Sequence, residues 1–324
     1  MRRWELLPLG TPVGPTLATS AVPRGIARSG YAATLVAVGG QAPRTWTLAS
    51  GALPQGLSLS ASTGSITGIP GASGSYPFVA RVTDALGLSA EEAFVLDVSA
   101  AAGGLPTNGL VLQLESTEFV SGGPVSSWSD LSGRGNHVFA GGQPELVLAA
   151  TPTARPAIRL AGLNDKLERI HASNPLNGLP TGNADRSIFI VARYDASSAS
   201  GGIAYGRGAN NQAFGLIVRH PTGQLVLQSF AQDLDSSTPG IGAGWLTQSA
   251  VLANGQARLF KNGALIAQWN HTYDTTLAKL VIGEEIANLG FTDMEVAAVL
   301  IYDRALSELE RDAVDAYLSD RYLR

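Results

Sequence analysis

Apolar and polar residues alternate with a period of two along most of this chain. Over 76–83 (YPFVARVT), Tyr76, Phe78, Ala80 and Val82 fall on one face, and over 93–98 (AFVLDV), Phe94, Leu96 and Val98 do the same. Successive side chains of a strand point to opposite faces, so this pattern predicts strands with one buried face. Gly and Pro interrupt it at short intervals, as a sandwich of short strands requires. The first stretch predicts strands at 31–38, 45–48, 57–59, 65–67, 76–83 and 93–98. The second predicts strands at 109–114, 157–160, 187–194, 214–218, 224–230, 256–261, 265–269, 277–282 and 294–302. Between 256–261 and 265–269 stands Asn262-Gly263, whose readiness for positive φ predicts a tight type I′ hairpin.

The period changes only at the C-terminus. Ser307-Glu-Leu-Glu310 reads as a capping box, in which the serine hydroxyl and the Glu310 carboxylate each satisfy a free backbone amide. It predicts one helix over 308–321 that packs an apolar stripe of Leu309, Ala313, Ala316 and Tyr317 on the sandwich. Small residues without periodicity at 99–106 (SAAAGGLP) mark a linker. The expected organisation is an N-terminal arm (1–24), an Ig-like β-sandwich (25–99), a linker (100–107) and a larger jelly roll (108–324). The fold class is all-β with one C-terminal helix.

Composition agrees and narrows the function. Only 15% of the 324 residues are charged, while Gly (38) and Pro (17) are abundant, a balance that suits strands and turns more than helices. The net charge is −4, and the chain has no basic run, so no nucleic-acid partner is expected. With no cysteine, disulfides, zinc ribbons and thiol nucleophiles are excluded. The four histidines (His137, His171, His220, His271) have no helical zinc-site spacing. The first residues, MRRWELLPLGTPVGP, lack the apolar core of a signal peptide, and no apolar run is long enough to span a bilayer. Membrane insertion is not expected.

Residues 25–99 resemble the bacterial Putative Ig (cadherin-like) family. The likeness rests on Gly39-Gly40, Trp46-Thr-Leu, Leu53-Pro54-Gln-Gly56-Leu57, Ser62-Thr-Gly64-Ser-Ile-Thr-Gly68-Ile-Pro70, Arg81-Val-Thr-Asp84 and Phe94-Val-Leu-Asp-Val98, in that order. It implies a core of Trp46, Leu57, Tyr76, Phe78 and Phe94. Residues 108–324 resemble the concanavalin A-like jelly roll of the laminin-G type, through Trp128-Ser-Asp130-Leu-Ser-Gly133-Arg-Gly135-Asn136, Asn164-Asp165, Lys261-Asn262-Gly263 and the segment from Glu295 to Glu310. That resemblance implies a sandwich shared by lectins, adhesins and glycosidases, so function must come from the site.

Glycosidases need two carboxylates flanking one bond. The spacings Glu-x-Asp-x-x-Glu and Glu-x-Asp-x-Glu are absent, and Glu284-Glu285 would face opposite ways on a strand. No catalytic residue is assigned. Glycan contacts are assigned to Tyr205, Arg207, Asn210, Asn211, Trp245 and Trp269, because rings stack on sugar C–H faces and amides read hydroxyls. No cofactor is required. Calcium is the one cation for which the loops offer oxygens, at Asp130, Asn136 and Asp165, although Asp and Asn also hold turns by themselves.

Two surface-type modules without a signal peptide or disulfides are explained by a bacteriophage virion protein, a capsid decoration or tail component that is assembled from the host cytoplasm. Arg2, Arg3 and Trp4 of the arm would anchor it to other virion proteins. The jelly roll would hold surface glycans, with many copies or an oligomer compensating for weak single contacts. The alternative is a module of a secreted or cell-surface adhesin, and a glycoside hydrolase ranks third.

Overall fold

A computed structural model describes residues 13–27, 30–71, 74–99, 105–197 and 199–324. The chain divides into two compact units, Met1–Gly103 and Gly104–Arg324. It is all-β with a single C-terminal helix.

In the first unit a four-stranded sheet packs on a three-stranded one. The four-stranded sheet runs Gly25–Ile26, Ser89–Ser99, Gly74–Thr83, Thr45–Gly51, and the other runs Tyr31–Thr34, Ser65–Gly68, Leu57–Leu59. Alternation fills the space between them with Trp46, Ile66, Phe78, Phe94 and Leu96, while Leu57 and Tyr76 pack at its margin. Phe78 and Phe94 stack with centroids 5.4 Å apart. Gly64 lies at φ +71, and a Cβ there would stand 2.8 Å from the Trp46 ring, so the tryptophan can be buried only against glycine. Residues 13–24, expected in the arm, are part of this unit. Pro15–Leu17 pairs antiparallel with Ala37–Gly39, an edge position where a proline costs no ladder bond. Arg2, Arg3 and Trp4 lie outside the described residues.

The second unit is a sandwich of a nine-stranded and an eight-stranded sheet. Strand Thr292–Tyr302 is the spine of the larger sheet. One edge pairs along its length with Arg186–Ser197. The other edge is shared end to end by Ala157–Ala161 and Leu110–Glu115. Between the sheets lie Trp128, Ile158, Leu160, Tyr194, Phe214, Leu246, Met294 and Val296. Gln248 ties the sheets from inside: its Oε1 accepts from Tyr194 Oη at 3.1 Å and its Nε2 donates to the Val226 carbonyl at 3.1 Å. The hairpin forms as expected, with Asn262 at φ +49 and Gly263 at φ +79, and Asn254-Gly255 makes a second one.

The helix spans Glu308–Tyr322 behind the Ser307 capping box. Its buried face overlaps the expected one in part: Ala316 is buried and Tyr317 packs on the same cluster. Leu309 is exposed, and Val314, Leu318 and Tyr322 turn inward together with the ion pair Arg311–Asp315. These residues cover Phe189, Val191, Ala297, Leu300 and Tyr302 on the outer face of the larger sheet. The helix covers only part of that face, and the uncovered part holds the candidate site.

Candidate functional site

The uncovered area is built by register. Glu145 pairs with Arg159, Arg159 with Glu295, Glu295 with Arg193, and Arg193 with Trp245. Their neighbours along each strand (Leu146, Ile158, Leu160, Met294, Val296, Ala192, Leu246) enter the core. Alternation therefore turns all five to the outer face. They form a row across five strands, roughly 19 Å long at the usual strand spacing.

The row is ionically linked. Arg159 bonds Asp195 at 2.8 Å and Asp293 at 2.5 Å. Arg193 bonds Asp195 at 3.3 Å and Glu295 at 3.2 Å. Burial raises the carboxyl groups of Asp293 and Glu295 above their ordinary range, against the pull of Arg159 and Arg193. Glu145 is exposed, and its carboxylate has no partner among the described residues.

Beside the row opens a depression of about 600 Å³, lined by Gly142, Gln143, Glu145, Arg159, Ala161, Leu163, Asn164 and Asp165. That lies within the roughly 300–1,000 Å³ of small-molecule sites. Asp165 holds its walls: Oδ1 accepts from the Gln143 amide at 2.7 Å and Oδ2 from the Ala161 amide at 3.1 Å. Gly142 sits at φ +76, where a Cβ would meet Asp165 Oδ1 at 2.4 Å. Gln143, Asn164 and Leu163 (81% exposed) present two amides and an apolar side chain to solvent.

The sequence-derived glycan residues go to three different places. Tyr205 is wholly buried, and its hydroxyl accepts from Arg186 at 3.1 Å, so its ring offers no face to a sugar. Trp245 closes the charged row, half-buried, with Nε1 donating to the Ala150 carbonyl at 3.1 Å. Asn210, Asn211 and Trp269 are brought together on one rim. Asn211 Oδ1 lies 2.6 Å from His271 Nε2, and His271 stacks on Trp269 at 4.6 Å. Burial pulls the His271 pKa below the ordinary histidine value, so the ring is neutral near pH 7. Asn210 accepts from Gln232 at 3.2 Å, and Arg207 is exposed nearby in sequence. Asn211 also donates to the Thr272 carbonyl at 2.7 Å, which makes it a tie between loops.

The proposed calcium oxygens are already occupied by N–H and O–H donors. Asp130 accepts from the Gln113 and Ser132 amides (2.9 Å each), the Asn136 amide (2.8 Å) and the Ser132 hydroxyl (2.8 Å). Asn136 bonds the Val111 and Asn177 carbonyls and the Asn177 amide. With Asp165 clamping its own walls, this donor set does not fit the ion. Among the described residues no three His, Asp or Glu side chains are grouped to hold a metal.

Sequence reasoning missed Arg159, Arg193, Glu295 and Glu145. The signal was one or two charges in each of several otherwise apolar strands (AIRLA, VARYD, DMEVA), but only register shows that they share a row. It also missed Arg186, buried over the Phe214 ring at 4.9 Å and held by the Ala184 and Gly182 carbonyls at 2.7 and 2.6 Å.

Comparison with known proteins adds the following. Residues 14–99 match the model of the family described as Putative Ig domain. No curated protein matches the chain. Among solved structures it is similar to Trypanosoma rangeli sialidase in complex with 2,3-difluorosialic acid (16% identity, TM-score 0.48, 68% of this chain and 34% of that one). It is also similar to the binding domain of Paraclostridial Mosquitocidal Protein 1 (16%, 0.47, 64% and 52%). A third is the binding domain of botulinum neurotoxin DC in complex with rat synaptotagmin II (14%, 0.49, 65% and 52%). The chain thus spans between 34% and 52% of the length of these structures. No helix among the described residues is long and apolar enough to cross a membrane.

Proposed function

We propose that the second unit is a non-catalytic carbohydrate-binding module, and that the Ig-like unit is the spacer that presents it. The depression carries this reading, with the Gln143 and Asn164 amides, the Glu145 carboxylate and the Leu163 side chain around one ligand-sized hollow. Amides and a carboxylate read hydroxyl groups, while an apolar side chain meets the C–H face of a sugar. Three buried carboxylates of this unit support binding over hydrolysis because they are engaged internally. Glu284 lies between Lys166 and Lys279 (3.2 Å each), Glu285 accepts from Gln228 at 3.0 Å, and Glu115 accepts from Tyr317 at 2.8 Å.

The biological setting in this proposal is a multicopy bacteriophage surface protein anchored by its N-terminal arm. A secreted or cell-surface adhesin is the alternative. Composition and the pairing of two surface-type modules support both settings.

A glycan array printed at high density and probed with the full chain tests the binding. The Q143A/N164A double variant is expected to lose signal at least fivefold, and N210A on the distant rim to keep it. Binding that survives the double variant, or no glycan bound at all, refutes the assignment. Proteomics on purified particles separates the two settings: many copies per particle mark a virion component, and protein found only in the medium or on the cell wall marks the adhesin.

A further inference from the structure

We infer that the depression beside the charged row selects neutral and amino sugars and rejects acidic ones. This deepens the carbohydrate-binding reading and rests on it. The usual means of capturing a sugar carboxylate is a guanidinium free to make two parallel hydrogen bonds. The guanidinium here is not free. Arg159 spends Nη1 on Asp195 and Nη2 on Asp293, at 2.8 and 2.5 Å. Arg193, next but one in the row, is shared between Asp195 and Glu295. An incoming carboxylate would have to displace carboxylates already seated.

The surrounding charge points the same way. Glu145 and Asp165 line the depression, and Asp195, Asp293 and Glu295 flank it, against the two guanidinium groups of Arg159 and Arg193. Lys166, cross-strand from Gly141, is held by Glu168 at 3.1 Å and Glu284 at 3.2 Å, and so leaves the balance negative. An ammonium group meets the reverse situation. Glu145 is an exposed carboxylate without a partner among the described residues, beside two amide side chains, and a protonated sugar amine can satisfy it. The ligand class is therefore a hydroxyl-rich saccharide, neutral or bearing a free amine, such as a glucosamine oligomer.

Titration calorimetry of the full chain with three probes of similar size tests the inference: a glucosamine oligomer, the matching N-acetylglucosamine oligomer and a sialylated oligosaccharide. The glucosamine oligomer is expected to bind best, and the sialylated one at least tenfold more weakly. Glu145→Gln should weaken the glucosamine oligomer about threefold more than it weakens the N-acetylated oligomer, the size of one exposed ion pair. Added salt should remove the same threefold advantage. Sialylated ligand binding as well as or better than the amine overturns the charge selectivity and leaves carbohydrate binding intact. No binding of any probe, with a blank glycan array, overturns both.

Discussion

At the scale of single residues, the helix holds two acids whose surroundings push them in opposite directions. Glu310, hydrogen-bonded by Arg304 and by the Ser307 amide, is pulled down to about 2. Its contribution to stability is present above the ordinary glutamate range and is lost only as pH falls toward 2. Asp315 is pushed up to about 7 because burial outweighs the neighbouring Arg311. Its unfolded value is about 3.9, so between about pH 4 and 7 the folded state binds the proton more tightly than the unfolded state. The Asp315 contribution is therefore largest below pH 4 and falls as pH rises to 7. Asp315→Asn should flatten that fall. Urea midpoints of both proteins at pH 4, 5.5 and 7 check this: the difference should move steadily in the variant's favour, and a constant difference refutes it.

Among elements, those whose chemistry is local were legible in the sequence. Asn262-Gly263 predicted its hairpin, the Ser307–Glu310 box predicted a helix start, and period-two alternation gave most strands of both sandwiches. Two strands buried on both faces were missed, while others with longer apolar runs (214–218 and 294–302) were read correctly. Trp245–Ala253 reads WLTQSAVLA, with Thr247, Gln248 and Ser249 all buried, because the core takes one face and the helix region the other. Alternation disappears where neither face is wet. Tyr205, assigned to glycan contact, belongs to Gly201–Gly206, a packed strand in which a Cβ on Gly202 would meet the Leu216 carbonyl at 2.2 Å. The helix stripe was legible only in part, because its inward face also contains the Arg311–Asp315 pair, which looks like a solvated face. The charged row is a product of register between strands distant in sequence, which no single segment encodes. Since Leu318 is fully buried between the helix and the larger sheet, Leu318→Ala should cost about 2–5 kcal/mol, read as a fall in the urea midpoint. A change below about 0.5 kcal/mol would mean that the helix is not an integral layer of the sandwich.

For the whole molecule, the division into two units has a thermodynamic counterpart. The Ig-like core around Trp46 and Phe78 and the core of the larger sandwich around Trp128 and Phe214 have no residue in common. Calorimetry should then resolve two transitions, and Trp46→Ala should lower one and leave the other in place. A fragment of residues 105–324 should fold alone and keep the saccharide affinity of the full chain. A fragment that fails to fold, or a Trp46→Ala variant that shifts both transitions equally, would show that the units are one cooperative body.

The spine strand Thr292–Tyr302 has a mechanical consequence. It carries Asp293 and Glu295 of the charged row at one end, is hydrogen-bonded along both edges, and runs on into the C-terminal helix. When the row is pulled against the C-terminus, the load runs along this strand, and the bonds of its ladders are sheared together instead of being unzipped one by one. Resistance to such a pull is then set by the rate at which this one strand slips from its neighbours.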